Sequence, residues 1–144
     1  MQIRPLVPED AAQVAPLCGQ LSYASTAEQV EARLRRIALT PTDAALGAFA
    51  PDGQLLGWVH VQERALLEAE VFAEVCSLVV DEQVRGRGVG GALMAACEAW
   101  ALARGLGRMR VRSNVKRTRA HAFYERLGYA VTKSQHVFQR LLAG

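Results

Sequence analysis

Residues 72–80 form a nearly continuous apolar run, interrupted only by Glu74 and Ser77. Continuous rather than alternating apolarity predicts a central strand covered on both faces. Upstream, residues 3–6, 44–50 and 54–62 read as strands, and Pro51-Asp52-Gly53 supplies a turn that joins the last two as a hairpin. Two helices are predicted between the first and second strands. Pro8-Glu9-Asp10 opens the first, with Ala11, Val14, Leu17 and Leu21 at helical spacing and Pro16 expected to kink or break it. Thr26 and Gln29 have the spacing of a capping box for the second, whose apolar face is Val30, Leu34 and Ile37. Residues 64–71 read as a loop.

Past the central strand, Val89, Leu93, Ala96, Cys97 and Trp100 predict a third helix, ended by Gly105. Residues 108–113 then read as a strand and 119–127 as a short helix closed by Gly128. Residues 129–133 and 136–142 read as two final strands. The order predicts an α/β (α+β) fold, one domain over residues 1–144, with a mixed, mostly antiparallel sheet of about seven strands and about four helices.

A length of 144 residues suits one domain with a full core. The net charge of +3 suits an anionic ligand without indicating nucleic acid, because no aromatic-interleaved basic patch or recognition motif accompanies it. Arg108, Arg110 and Arg112 share one strand face and are expected to be solvated. No apolar run approaches the roughly 18 residues of a membrane span. Cys18, Cys76 and Cys97 form no close pair, which fits a reducing, cytoplasmic setting and argues against structural zinc. No metal-ligand spacing is evident.

The chemistry-bearing stretch is Arg85-Gly86-Arg87-Gly88-Val89-Gly90-Gly91, between the central strand and the third helix. Glycine is costly in chain entropy and is placed where a backbone must approach something closely. Bare amides leading into a helix N-terminus form a phosphate or pyrophosphate site, and Arg85 and Arg87 add positive charge. Gly86, Gly88 and Gly91 satisfy a dinucleotide fingerprint, but its context is wrong. The loop follows an apparent fourth strand, and the ribose-binding acid is replaced by the arginines from 108 onward. A nucleoside-triphosphate loop would need Gly-Lys-Ser/Thr, which is lacking.

With Leu78, Val79 and Val80 before it, this run resembles the acetyl-coenzyme A signature of the GNAT N-acetyltransferase family, matched at Arg85, Gly88 and Gly90. The downstream stretch through Asn114, Lys116, Arg117, His121, Phe123, Tyr124, Gly128 and Tyr129 is similar to the family's second block. The resemblance implies a sheet splayed between strands four and five, with the coenzyme arm in the gap. The arm would pair with backbone at Leu78, Val79 and Val80, and the pyrophosphate would lie on amides from Arg85 through Gly86, Arg87, Gly88 and Val89 to Gly90. Asn114 would bond the arm, Lys116 or Arg117 would meet the nucleotide phosphate, and Phe123 would sit beside the coenzyme.

It also implies acetyl transfer from acetyl-coenzyme A to a primary amine of a small molecule or peptide, in a ternary complex. Tyr124 is the candidate general acid toward the coenzyme thiolate; the alternative is a core aromatic beside Phe123. Glu74 is the candidate base, directly or through water, because burial in the central strand would raise its pKa; the alternative is a salt-bridge partner. His60 can line the acceptor pocket, the alternative being a structural or surface histidine, and His121 can neighbour and tune Tyr124, the alternative being a solvated histidine. No metal, nucleic-acid or membrane partner is implied, and a homodimer is compatible. A non-catalytic acyl-coenzyme A sensor is the other class, disfavoured by the intact glycines and Tyr124.

Overall fold

A computed structural model describes residues 1–21, 23–113 and 116–143, which fall into two compact units, Met1–Arg112 and Ser113–Gly144. The first unit is a five-stranded sheet with helices on both faces. Strands β1 (Gln2–Pro5), β2 (Asp43–Phe49), β3 (Leu55–Arg64) and β4 (Phe72–Val80) run antiparallel in spatial order. Strand β5 (Met109–Val111) joins β4 in parallel after the crossover helix α3 (Val89–Ala103). The mixed sheet agrees with the sequence expectation, and β4 has the predicted bounds.

Helices α1 (Ala11–Cys18) and α2 (Ala27–Ala38) cover one face. Their Val14, Leu17, Val30 and Leu34 bury with Ala45, Phe49, Leu55 and Val79, and Trp58 packs against this cluster. Pro16 is accommodated in α1, which gives way two residues later to a short 3-10 turn, Gly19–Leu21. The Thr26 hydroxyl accepts from the Gln29 amide at 3.1 Å, and the Gln29 side-chain oxygen accepts from the Thr26 amide at 3.0 Å, completing the capping box. Helix α3 takes the opposite face, burying Val89, Leu93, Met94, Cys97 and Ala101. There Gly57 is required by close approach. A Cβ on it would stand 2.7 Å from the Val79 carbonyl oxygen and 3.3 Å from Leu93.

Buried charge is anchored near the chain start. Asp10 accepts two bonds from the Arg4 guanidinium, both 2.9 Å, and one from the Val7 amide at 2.8 Å. The bond from Arg4 holds the Asp10 carboxyl below its ordinary value against the opposing effect of burial.

The second unit contains helix α4 (Thr118–Arg126) and an irregular remainder. Here the expectation of seven strands is corrected to five: no strand forms in the described residues beyond Gly128. Residues 129–133 open with three consecutive apolar residues, Tyr129, Ala130 and Val131, which does not fit the period of two of a half-buried strand. In the last segment Val137-Phe138 and Leu141-Leu142 are adjacent pairs, which breaks the period of two and gives neither strand face an apolar surface; all four side chains are exposed. The four α-helices match the expectation.

Candidate active site

The loop after β4 is built as the glycine count predicts. Gly86 and Gly88 both have φ of +83°, the left-handed region that favours glycine, and Gly88 is the N-cap of α3. Gly88 has no side chain, so no side-chain bond caps α3, and the first amides of the helix lack that partner. A Cβ at Gly86, Gly88 or Gly91 would meet nothing within 4 Å, so open space adjoins the loop. Arg85 and Arg87 are exposed beside it. Exposed amides, a helix N-terminus and two cations fit a pyrophosphate.

The preceding strand fits an extended arm. Pairing between β4 and β5 ends at Val75 with Val111. Residues 77–80 of β4 therefore keep β3 on one side and have no strand on the other among the described residues. Cys76 is a bulge there, because His60 stands opposite Ser77 while Val61 stands opposite Val75. Leu78, Val79 and Val80 thus lie on the segment whose outer edge is left unpaired by β5.

Next to that edge lies a charged face drawn from four strands. Glu74, 2% exposed, stands opposite Gln62 on β3 and Arg110 on β5. It accepts a bond from Arg112 Nε and lies 3.7 Å from Arg64 Nε. The arginine row is therefore not simply solvated. Arg112 balances Glu74, whereas Arg108 and Arg110 lie over the Phe72 ring, 5.0 and 4.7 Å from its centroid. The salt-bridge alternative for Glu74 is present in the geometry.

Along the same face, His60 Nε2 is 2.8 Å from Asp43 Oδ2, which also accepts from Gln62 Nε2 at 3.0 Å. The Thr42 hydroxyl donates to Asp43 Oδ1 at 3.0 Å. Burial pushes the Asp43 carboxyl up, but the bonds from Gln62, His60 and Thr42 together outweigh it and hold it below its ordinary value. Cys76, whose thiol donates to the Glu74 backbone carbonyl at 3.7 Å, feels the charge of both Glu74 and Asp43. Burial, then Glu74 and Asp43, push its thiol up to about 11, while Arg64 and Arg112 pull the other way. Trp58 lies on this face with a buried indole N–H that has no hydrogen-bond partner among the described residues. Among the described residues no group of three metal-ligating side chains gathers, and no helix is long and apolar enough to cross a membrane.

Sequence reasoning missed Asp43, Arg64 and Arg112 as members of this face. The hairpin register is the signal that locates Asp43, and it is altered by a bulge between Ala48 and Phe49.

In the second unit, Tyr124 is half-buried on α4 with its ring edge-on to Phe123 and Tyr129, at centroid distances of 5.1 and 6.2 Å. The end of α4 fixes it. Gly128, at φ +95°, donates to the Glu125 carbonyl, and the Tyr129 amide donates to the Tyr124 carbonyl, both at 3.0 Å. This is a Schellman cap whose apolar contact is the Tyr124–Tyr129 pair. His121 lies on the same helix, one turn before Tyr124. Arg117 is the N-cap of α4 and makes no capping side-chain bond. Asn114 lies outside the described residues.

A stretch of 86 residues is 43% identical to mycothiol acetyltransferase of Salinispora tropica, covering 58% of this chain and 27% of that protein. The matched region thus spans less than a third of that relative's length. Among solved structures, an aminoglycoside antibiotic 6'-N-acetyltransferase from Acinetobacter haemolyticus superposes with a TM-score of 0.84 at 17% identity, over 99% of this chain and all of that one. AAC(6')-Iy, solved in complex with the bisubstrate analog CoA-S-monomethyl-acetylneamine, gives 0.85 at 19% identity over 98% of each chain. The Acetyltransferase (GNAT) family profile matches residues 17–129. With the glycine loop, the parted β4–β5 edge and this match in hand, the chain belongs to the GNAT acetyltransferase family.

Proposed function

We propose that this protein transfers acetyl from acetyl-coenzyme A to a primary amine by direct attack in a ternary complex. The observation that carries the reading is the open glycine cradle at the N-terminus of α3, continuous with a strand edge that β5 leaves unpaired. Such a surface suits a ligand with a pyrophosphate at one end and an amide-bearing extended arm. The amides and arginines from Arg85 to Gly90 would hold the pyrophosphate, and Leu78, Val79 and Val80 would pair with the arm. Bound there, acetyl-coenzyme A supplies an activated acyl group.

Direct attack is favoured over an acyl-enzyme. Cys76 is the thiol nearest the charged face, and a thiol pushed up to about 11 is almost wholly protonated at neutral pH. The Tyr124 phenol would give a proton to the departing thiolate, its ring pinned by the cap at Gly128 and Tyr129. The sequence offers Glu74 as the base, acting through water. Its bond to Arg112 and nearness to Arg64 bear on that role, because carboxylate oxygens already held by guanidinium groups are less free to accept a hydrogen bond from a relay water.

The acceptor is a small-molecule or peptide amine. The test is thiol release from acetyl-coenzyme A across amines, polyamines, aminophosphonates and peptides, run beside a coenzyme A thermal shift. Release with at least one amine, and a Tyr124→Phe variant that turns over about 10²-fold slower with coenzyme binding nearly unchanged, are expected. No release and no thermal shift would end the reading. A thermal shift without release from any amine would favour a non-catalytic acyl-coenzyme A sensor.

A further inference from the structure

We propose that His60, oriented by Asp43, is the base that takes the proton from the acceptor ammonium, with Asp43 as its positioning residue. The proposal rests on the acetyl-transfer reading above and assigns the step that reading leaves weakest. Three features of the geometry lead to it.

The first is the state of Asp43. Its carboxylate accepts from Thr42, Gln62 and His60 at 2.8 to 3.0 Å, and the net effect of burial and these bonds favours the charged form. A charged carboxylate on Nε2 fixes the neutral imidazole as the Nε2–H tautomer, since Nε2 must donate. The lone pair is then on Nδ1, and Nδ1 has no hydrogen-bond partner among the described residues. When Nδ1 takes a proton, Nε2 goes on donating to the same carboxylate, so the ring keeps its orientation through the transfer.

The second is place. His60 stands directly opposite Ser77, the residue after the β4 bulge and the start of the segment that β5 leaves unpaired. Cross-strand Cβ atoms so paired are about 4.5–5.5 Å apart, within reach of a group lying along that edge. The imidazole retains 21% of its side-chain exposure, enough to be approached and too little to be freely solvated.

The third is the contrast with Glu74. Both carboxylates on this face are spoken for, Glu74 by Arg112 and Arg64, Asp43 by His60, Gln62 and Thr42. The titratable and charged groups that share this face with His60 are Asp43 on β2, Glu74 and Cys76 on β4, Arg110 on β5 and Arg112 just beyond it, with Arg64 on its own strand. The thiol is protonated, and the arginines cannot accept a proton. His60 alone in this set couples a ring nitrogen with an open lone pair to a carboxylate that holds the other ring nitrogen.

The protons balance. One of the ammonium's three goes to His60 Nδ1 and from there to water. The amine nitrogen then bonds to the acyl carbon as the carbon–sulfur bond breaks. A second proton ends on the coenzyme thiol, and the third stays on the amide.

The test compares wild type, His60→Gln, Asp43→Asn and Glu74→Gln, each checked for a coenzyme A thermal shift. His60→Gln is expected to lower kcat about 10²-fold or more with the acetyl-coenzyme A KM within twofold, and to abolish the acid limb of the pH–rate profile. Glu74→Gln should keep that limb, and Asp43→Asn should lower kcat less than His60→Gln. Nitrogen NMR of histidine-labelled protein, assigned by the signals lost in His60→Gln, should show the Nε2–H tautomer in wild type and a mixture in Asp43→Asn. Wild-type turnover and an unchanged acid limb in His60→Gln would overturn the assignment and leave acetyl transfer standing. So would an Nδ1–H tautomer in wild type. Silence of the wild type toward every amine would remove the transfer reading, and this assignment with it.

Discussion

The loop from Arg85 to Gly91 offers a ligand backbone amides from contiguous residues, whereas the face around Glu74 offers side chains from four strands. In the loop, the important feature is what is missing: two residues at φ +83° and open space where a Cβ would stand. On the face, the charge pairs are ones that the chain brings together only by folding. Arg112 lies 38 positions from Glu74, and His60 lies 17 from Asp43. A backbone cradle is specified by local sequence and tolerates little substitution. A side-chain face depends on register and can be rebuilt pair by pair. Donor binding and acceptor chemistry should therefore fail in different ways.

The largest effect is expected at the cradle. Gly88→Val places a β-branched side chain at a left-handed N-cap and a Cβ in the space above the loop. It should lower coenzyme A affinity about 100-fold by calorimetry, near 2.7 kcal/mol. The strained backbone should cost roughly 1–2 kcal/mol of stability as well. Gly91 has ordinary helical geometry and the same open surroundings. Gly91→Ala should bind within threefold of wild type, because its amide stays in place. Equal losses at both positions would mean that bulk near the loop, and not backbone shape, governs affinity.

The charged face should show an asymmetry instead. Arg112 is 58% exposed at its side chain and Glu74 only 3%. Arg112→Met leaves a buried carboxylate with Arg64 alone and should cost about 2 kcal/mol in urea unfolding. Glu74→Gln leaves an arginine that can turn to water and should cost about half as much. Arg112→Met with Glu74→Leu should recover most of the loss. None of these should move coenzyme affinity by more than a few fold. If they do, the two regions are not separate.

What was legible in the sequence follows the same division. The glycine loop, the capping box at Thr26 and Gln29, and the caps at Gly105 and Gly128 are local, and each is found where its residues predicted. In the Gly105 cap the Leu106 amide donates to Ala101 at 2.9 Å. Burial of Glu74 was visible from its place in an apolar run, but its partners depend on the β4–β5 register. Asp43 shows why counting fails. Extended unshifted from Phe49 opposite Leu55, the hairpin would put Asp43 opposite Val61. The bulge moves it opposite Gln62, onto the face that holds His60, because a one-residue shift exchanges the faces of a strand. The two terminal strands were overread from apolar content whose adjacent pairs do not fit a strand face.

A third carboxylate, Asp10, separates what belongs to the site from what belongs to the scaffold. Like Glu74 it is buried against an arginine, but it sits at the start of α1, where Arg4 also stacks 3.9 Å from the Phe49 ring centroid. The folded protein holds its carboxyl below the ordinary value of about 4, chiefly through the bond from Arg4. The sign follows: the unfolded chain takes up this proton first as pH falls. The contribution is therefore complete above about pH 5 and is lost as pH falls through the depressed folded value. Arg4 is 36% exposed, so solvent screening keeps the pair modest. Asp10→Asn should lower stability by about 1 kcal/mol at pH 7, and the difference from wild type should shrink toward pH 2. Urea midpoints at the two pH values measure it. Coenzyme affinity and the acid limb of turnover should both be unchanged in this variant. A shift in that limb would mean that the pH dependence assigned to the acceptor face is carried by the scaffold.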